Sequence, residues 1–206
     1  MNEIIDKIYR YIEQNNMLTD CERVVVGLSG GADSVCLLMV LKGYIERRHL
    51  QTELCAVHVN HGIRQEAGDD EEFARVLCER MGVEFMAYHI DATELAKQLG
   101  MSVEEAGRKE RYRIFNEACK ECNARIAVAH HMNDQAETVL MNLSRGTSLK
   151  GIGGIRPVRD NIIRPLLSVT RAEVEEVLKD FNQPYVTDAT NLCNDYTRNS
   201  LRNVVI

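Results

Sequence analysis

The sequence predicts an α/β protein: an open, parallel, twisted sheet with helices on both faces. Three observations lead there. Short apolar runs rich in β-branched residues alternate with longer stretches of helical periodicity, the pattern of βαβ units. A glycine-rich turn, Ser29 to Ser34, lies where the first such run hands over to a helix. The chain has 206 residues with 45% apolar content, enough for one sizeable core.

The elements follow in order. Ile5, Ile8, Tyr9 and Ile12 recur at helical spacing, so the chain opens with an amphipathic helix. RVVVGLS at 23–29 is a buried strand, followed by a turn and a helix over 33–47. A second strand covers 53–60 and a helix about 66–81. A third strand covers 84–90, and helical sequence then continues to about 122. A fourth strand at 125–130 leads into a helix over 134–145. Residues 146–165 are rich in glycine and hold two of the three prolines, which marks a long surface loop with a short strand. A helix over 170–181 and an Asn/Asp/Thr-rich tail complete a C-terminal extension over 166–206.

Composition narrows the class. The longest uninterrupted apolar run, Val35 to Leu41, is too short for a membrane span, so no membrane partner is expected. The N-terminus lacks a signal-peptide pattern, and seven scattered cysteines do not make a disulfide framework. These features point to a reduced, cytoplasmic protein. The formal net charge of −6 splits into −8 over 1–144 and +2 over 145–206. A mildly basic tail suits a phosphate backbone, though ordinary surface charge explains it equally well.

Ser29, Gly30, Gly31, Ala32, Asp33 and Ser34 carry the strongest signal. The carboxyl end of a parallel strand is where nucleotide phosphates bind in open α/β sheets. Two glycines admit close backbone approach, successive N–H groups face outward, and the helix N-terminus is partly positive. The two serines add hydroxyl donors, and Asp33 is suited to the Mg2+ that accompanies a triphosphate. The Gly-Lys-Ser/Thr ending of a Walker A loop is absent, so transfer of the terminal phosphoryl group is not expected.

Three further clusters stand out. His58 and Asn60 share one face at the end of the second strand, next to the loop, within His-Val-Asn-His-Gly-Ile-Arg at 58–64. On the helix near residue 108, Tyr112, Phe115, Ala118, Cys119 and Cys122 form a stripe that Glu104, Arg108 and Arg111 continue. Inward arginines need anionic partners, either phosphate or a carboxylate such as Glu104. Cys119 and Cys122 lie beside Phe115 and read as core cysteines, not as a metal pair. In the helix after Ala129-His130-His131, Ala136, Val139, Leu140 and Leu143 form one face. Asp134, Glu137, Thr138, Met141 and Arg145 form the other, where two carboxylates at i and i+3 suit a metal ion, a substrate ammonium or plain solvent.

The loop matches the Ser-Gly-Gly-x-Asp-Ser signature of the PP-loop ATP pyrophosphatases. Further blocks run from residue 29 to about 202: HVNHGIR, EEAGRKERY, AHHMNDQAETVLMNLSRGTSLKGIGG, IIRPLL and ATNLCNDYTRNSLR. In order and wording they resemble the tRNA(Ile)-lysidine synthetase family. Arg164-Pro165-Leu166 and the stretch from Asp188 to Arg202, with Asn191, Arg198 and Asn199, distinguish it from other PP-loop enzymes.

The resemblance implies an adenine nucleotide alpha-hydrolase-like fold and a PP-loop catalytic domain over 1–206. The family's C-terminal tRNA-binding domains are expected to lie outside this chain. It also implies ATP and Mg2+ as cofactors, and free L-lysine and isoleucine tRNA with a CAU anticodon as substrates. The oligomeric state is left open, a homodimer included. In the family's reaction the wobble cytidine's 2-carbonyl oxygen attacks the α-phosphate of ATP and pyrophosphate leaves. The amine of lysine then attacks the same ring carbon and AMP departs. Carried onto this sequence, Ser29 to Ser34 hold pyrophosphate and Asp33 holds Mg2+. Arg108 or Arg111 stabilises phosphate charge, Asp134 and Glu137 bind lysine or a metal, and Arg202 positions AMP or the base. Two alternatives remain: a PP-loop tRNA 2-thiolation enzyme using cysteines, and an ATP-binding module without catalysis.

Overall fold

A computed structural model describes residues 2–62, 67–120, 122–144, 146 and 153–187. The opening helix α1, Glu3–Gln14, is capped by the Asn2 side chain and buries Ile8, Tyr9 and Ile12, as the spacing predicts. Strand β1 (Arg23–Gly27), helix α2 (Ala32–Arg47), strand β2 (Glu53–Asn60), helix α3 (Ala67–Met81) and strand β3 (Glu84–His89) follow as two βαβ units. The helical stretch after β3 is broken into α4 (Ala92–Leu99) and α5 (Val103–Ala118). The break has a local cause. Gly100 ends α4 in the left-handed region, and Ser102 with Glu105 forms a capping box that starts α5.

Strand β4 (Ala124–Ala127) and helix α6 (Met132–Ser144) come next. The described part of the glycine-rich loop contains a small hairpin, β5 (Val158–Arg159) and β6 (Ile162–Ile163), where one short strand is expected. A 3-10 turn, Pro165–Ser168, and helix α7, Arg171–Asp180, complete the described elements. Thr170 and Glu173 form the capping box of α7.

The six strands lie in the order β3-β2-β1-β4-β6-β5. All neighbours are parallel except β5 and β6, because a two-residue hairpin reverses the chain. Each central strand feeds two cores through its alternation. Val24 and Val26 join Ala56 and Ala127 on the face covered by α1, α2 and α7, while Val25, Cys55, Val57 and Ile126 meet Ile114 and Phe115 of α5. Phe115 lies so close to β1 that a Cβ on Gly27 would stand 2.7 Å from its ring. Helices on both faces leave the carboxyl ends of β1, β2 and β4 opening at one edge, with strand order reversing at β1.

Candidate active site

The turn after β1 occupies that edge. Gly30 has φ +86°, which favours glycine, and Gly31 is the N-cap of α2 with no side-chain cap. The first N–H groups of the helix therefore lack a side-chain acceptor from the cap, the usual setting for an anion. Ser34 braces the bend. Its hydroxyl donates to the Gly31 carbonyl at 2.9 Å and accepts the Ser29 N–H at 3.2 Å. Because its one proton is committed, the 3.2 Å contact between the two hydroxyls has Ser29 as donor. Ser34 is buried, whereas Ser29 is exposed and Gly31 and Asp33 are half-buried.

Asp33 lies in the first turn of α2 and meets two other elements. Arg171, the first residue of α7, donates from Nη1 to Asp33 Oδ2 at 2.6 Å. His131 Nε2 lies 3.7 Å from Asp33 Oδ1, which is buried and has no hydrogen-bond partner among the described residues. A buried carboxylate oxygen left in this state fits a cation ligand. Among the described residues, no group of three or more His, Cys, Asp or Glu forms a metal cage. A single carboxylate working with substrate phosphates is the usual arrangement for magnesium.

On its other side, His131 Nδ1 lies 3.5 Å from Asp134 Oδ2, and its backbone N–H donates to that oxygen at 2.9 Å. Asp134 and Glu137 are both buried, Glu137 with 0% exposure. The sequence left a solvated polar face open for this pair; the structure turns that face inward. Leu143, assigned to the apolar face, is 50% exposed.

The second strand ends in a histidine-rich corner. His58 is buried, with Nδ1 2.9 Å from the Leu28 carbonyl, so it supports the backbone leading into the Ser29–Ser34 turn. The Asn60 side chain accepts the Gly62 N–H at 3.0 Å. Arg111 Nη2 contacts His61 Nε2 at 2.9 Å; a guanidinium only donates, so that nitrogen carries the lone pair. Burial, with Arg111 and then His58 beside it, pushes His61 down to about 4. Burial, with Arg108 beside it, lowers Arg111.

Helix α5 sits rotated relative to the expected stripe. Arg111 faces inward, but Arg108 and Glu104 are exposed, and Arg108 stacks over Tyr112 at 5.2 Å. The buried line runs through Ala106, Gly107, Ile114 and Phe115. Gly107 has no side chain to signal burial, yet a Cβ there would come within 3.1 Å of the His61 ring. Cys119 and Cys122 are half-buried at the end of α5, just before β4 begins, and burial pushes the Cys119 thiol up to about 11. That is the amino edge of the sheet, opposite the Ser29–Ser34 turn.

Arg164 is a buried arginine at the carboxyl end of β6. It donates from Nε to His130 Nδ1 at 3.1 Å and from Nη1 to the Arg156 carbonyl at 2.8 Å. The neutral His130 ring therefore carries its proton on Nε2. Finally, the Val186 N–H donates to the Gly30 carbonyl at 3.0 Å, laying the last described residues across the loop. Asn191, Arg198, Asn199 and Arg202 lie outside the described residues, as do Arg64 and Arg145.

The structure thus joins Asp33, His131, Asp134 and Arg171 in one polar chain and keeps Arg111 and His61 at the end of β2. No role followed from sequence for His131 or Arg171. His131 stood inside a recognised block, and Arg171 stood inside a helix-start signal, Thr170 to Glu173, which says nothing of what the helix approaches.

The PP-loop domain family matches residues 2–206. The chain belongs to the PP-loop family. Its members are ATP-binding domains. The chain is 43% identical over 202 residues to a protein of Clostridium acetobutylicum named tRNA(Ile)-lysidine synthase, covering 97% of this chain and 43% of that one. It is 45% identical over 205 residues to the protein of that name from Caldanaerobacter subterraneus, covering 98% and 44%. The chain therefore spans less than half the length of these curated relatives. Among solved structures it is similar to the U34-tRNA thiolase NcsA from Methanococcus maripaludis, with a TM-score of 0.73 and 25% identity over 96% of this chain and 69% of that one. The NH3-dependent NAD synthetase of Campylobacter jejuni shares the fold, with a TM-score of 0.62 and 20% identity over 97% and 81%. No helix among the described residues is long and apolar enough to cross a membrane.

Proposed function

We propose that this chain is the catalytic domain of an ATP-dependent, lysidine-forming tRNA enzyme, acting in the cytoplasm on isoleucine tRNA and free lysine. One observation carries the proposal: a buried carboxylate pair, Asp134 and Glu137, joined through His131 to the Asp33 of a pyrophosphate-type loop. An amino-acid ammonium needs such buried anions, and adenylation needs such a loop. The identity to proteins named tRNA(Ile)-lysidine synthase supports the same reading.

The reaction balances in two steps. The cytidine 2-carbonyl oxygen bonds to the α-phosphorus of ATP, and the α–β bridge breaks to release pyrophosphate. The lysine amine bonds to the same ring carbon, the carbon–oxygen bond to AMP breaks, and the amine loses a proton. Backbone N–H groups of residues 30–34 hold the departing pyrophosphate, and the Ser29 hydroxyl joins them by turning its one proton from Ser34 to a phosphate oxygen. Asp33 Oδ1 would hold magnesium, which supplies charge neutralisation on the phosphates. Arg111 stabilises phosphate charge from the inner face of α5, while Arg108 serves from the rim. Asp134 and Glu137 bind the lysine, His58 and Asn60 line the nucleotide side, and Arg202 positions AMP or the base. His130, held by Arg164 with its proton on Nε2, is a hydrogen-bond donor to an oxygen, not the base for lysine.

The described cysteines do not favour thiolase chemistry: Cys21, Cys36, Cys55 and Cys78 are buried, and Cys119 and Cys122 stand at the opposite edge of the sheet; Cys193 lies outside the described residues. The deciding experiment incubates isoleucine tRNA, ATP and lysine with a full-length protein carrying this domain, followed by nucleoside mass spectrometry. Lysidine is expected. Its absence with intact, ATP-binding enzyme, or a 2-thiocytidine product when a sulfur donor replaces lysine, overturns the proposal.

A further inference from the structure

The guanidinium of Arg171 is held in a fork. Nη1 donates to Asp33 Oδ2 at 2.6 Å, and Nε donates to Glu175 Oε1 one turn further along α7 at 2.7 Å. The residue is half-buried, and its backbone is fixed as firmly as its head. The Arg171 N–H donates to the Asn133 side chain at 3.0 Å, and the Met132 N–H donates to the Val169 carbonyl at 2.8 Å. The start of α7 is thereby locked to the start of α6, and both face the first turn of α2. Asp33 has its other oxygen buried without a hydrogen bond among the described residues. The carboxylate is therefore matched to one cation and poised for a second.

We propose that Arg171 is a phosphate-binding residue, held on Asp33 until magnesium and pyrophosphate take both groups over. The proposal rests on the reading of residues 29–34 as an ATP phosphate loop. A divalent cation on Asp33 competes for the lone pairs that Arg171 uses. The guanidinium then has its partner weakened within the loop itself, where phosphate oxygens supply stronger acceptors in a matching bidentate geometry. Glu175 keeps the head group in place during the exchange, so little side-chain freedom is lost when phosphate arrives. Before nucleotide binds, the same contact keeps the negative charge of Asp33 from repelling the phosphate chain.

The test uses inorganic pyrophosphate as probe, with and without Mg2+, on the wild type and on R171M, R171Q and R171K. Isothermal calorimetry reads pyrophosphate affinity, and thermal denaturation reads binding of Mg2+ alone. Two changes of opposite sign are expected for R171M and R171Q. Affinity for magnesium pyrophosphate falls roughly ten- to a hundredfold. The rise in Tm with Mg2+ alone sets in at lower concentration, because Asp33 has lost its competitor. R171K recovers part of the affinity, and a purely packing role would not produce the opposed signs. Pyrophosphate affinity that is unchanged or tighter in folded R171M or R171Q overturns the assignment. If the wild type itself fails to bind magnesium pyrophosphate, the phosphate-loop reading falls, a result distinct from failure of Arg171 alone.

Discussion

Val186 donates its backbone N–H to the carbonyl of Gly30, 156 positions earlier in the chain, and its side chain stands 3.3 Å from where a Gly30 Cβ would be. Phe73 of α3 lies 3.5 Å from the same point. The first loop glycine is thus enclosed on two sides as well as held at positive φ. Gly30→Ala should cost about 1–2 kcal/mol from the backbone conformation alone, with further loss from the Val186 contact. Its effect on ATP affinity should exceed its effect on global stability, since the bend itself is deformed. Urea denaturation beside nucleotide titration measures both, and an unchanged ATP affinity counts against this bend as the phosphate cradle.

Asp33→Asn preserves shape while removing the charge that faces Arg171 and the buried, unpaired oxygen. Pyrophosphate release should fall by about 10²-fold or more. A pyrophosphate-coupled assay with tRNA present checks this, and near-normal turnover would remove Asp33 from the mechanism. Stability should fall only modestly, because Glu175 still holds the Arg171 head group.

In the proposed reaction, Glu137 should affect the lysine step and spare the ATP step. Its carboxylate is fully buried on α6, one turn beyond Asp134. Glu137→Gln should raise the KM for lysine by roughly ten- to a hundredfold, the worth of one hydrogen bond to a charged group. ATP affinity should change little. A variant that loses ATP affinity while keeping its lysine KM would place Glu137 on the nucleotide side instead.

His61 predicts the pH response of the fold. Its folded pKa, about 4, lies below the ordinary value of 6.5, so the unfolded chain binds a proton first as acid is added. The stabilisation is present above pH 6.5 and is lost as pH falls from there toward 4. Below that both states are protonated and the loss levels off. Comparing Tm from pH 7.5 to 4.5 in wild type and His61→Asn, the wild type should fall more steeply. Parallel curves would show that His61 is not the group responsible.

The sheet was readable because its strands are fully buried and β-branched, and because the Ser29–Ser34 bend must follow a strand and precede a helix. The break between α4 and α5 was written in Gly100, Ser102 and Glu105, but a wheel drawn through continuous periodicity passes over it. The orientation of α5 was harder. Arg108 and Arg111 look equivalent by spacing, and the deciding residue, Gly107, has no side chain to reveal that it packs against His61.

By itself, the amino-acid order determined the alternation of elements, the glycine-rich turn at the first strand–helix junction, and the identity of the polar residues near it. Only the tertiary structure decided which way those residues face and what they meet. Periodicity sorts side chains into faces without saying which face is inside; on α6 the carboxylate face turned inward and Leu143 outward. Arg171 reaches Asp33 because α7 packs beside α2 and is tied to α6, a contact across 138 positions that no local pattern encodes.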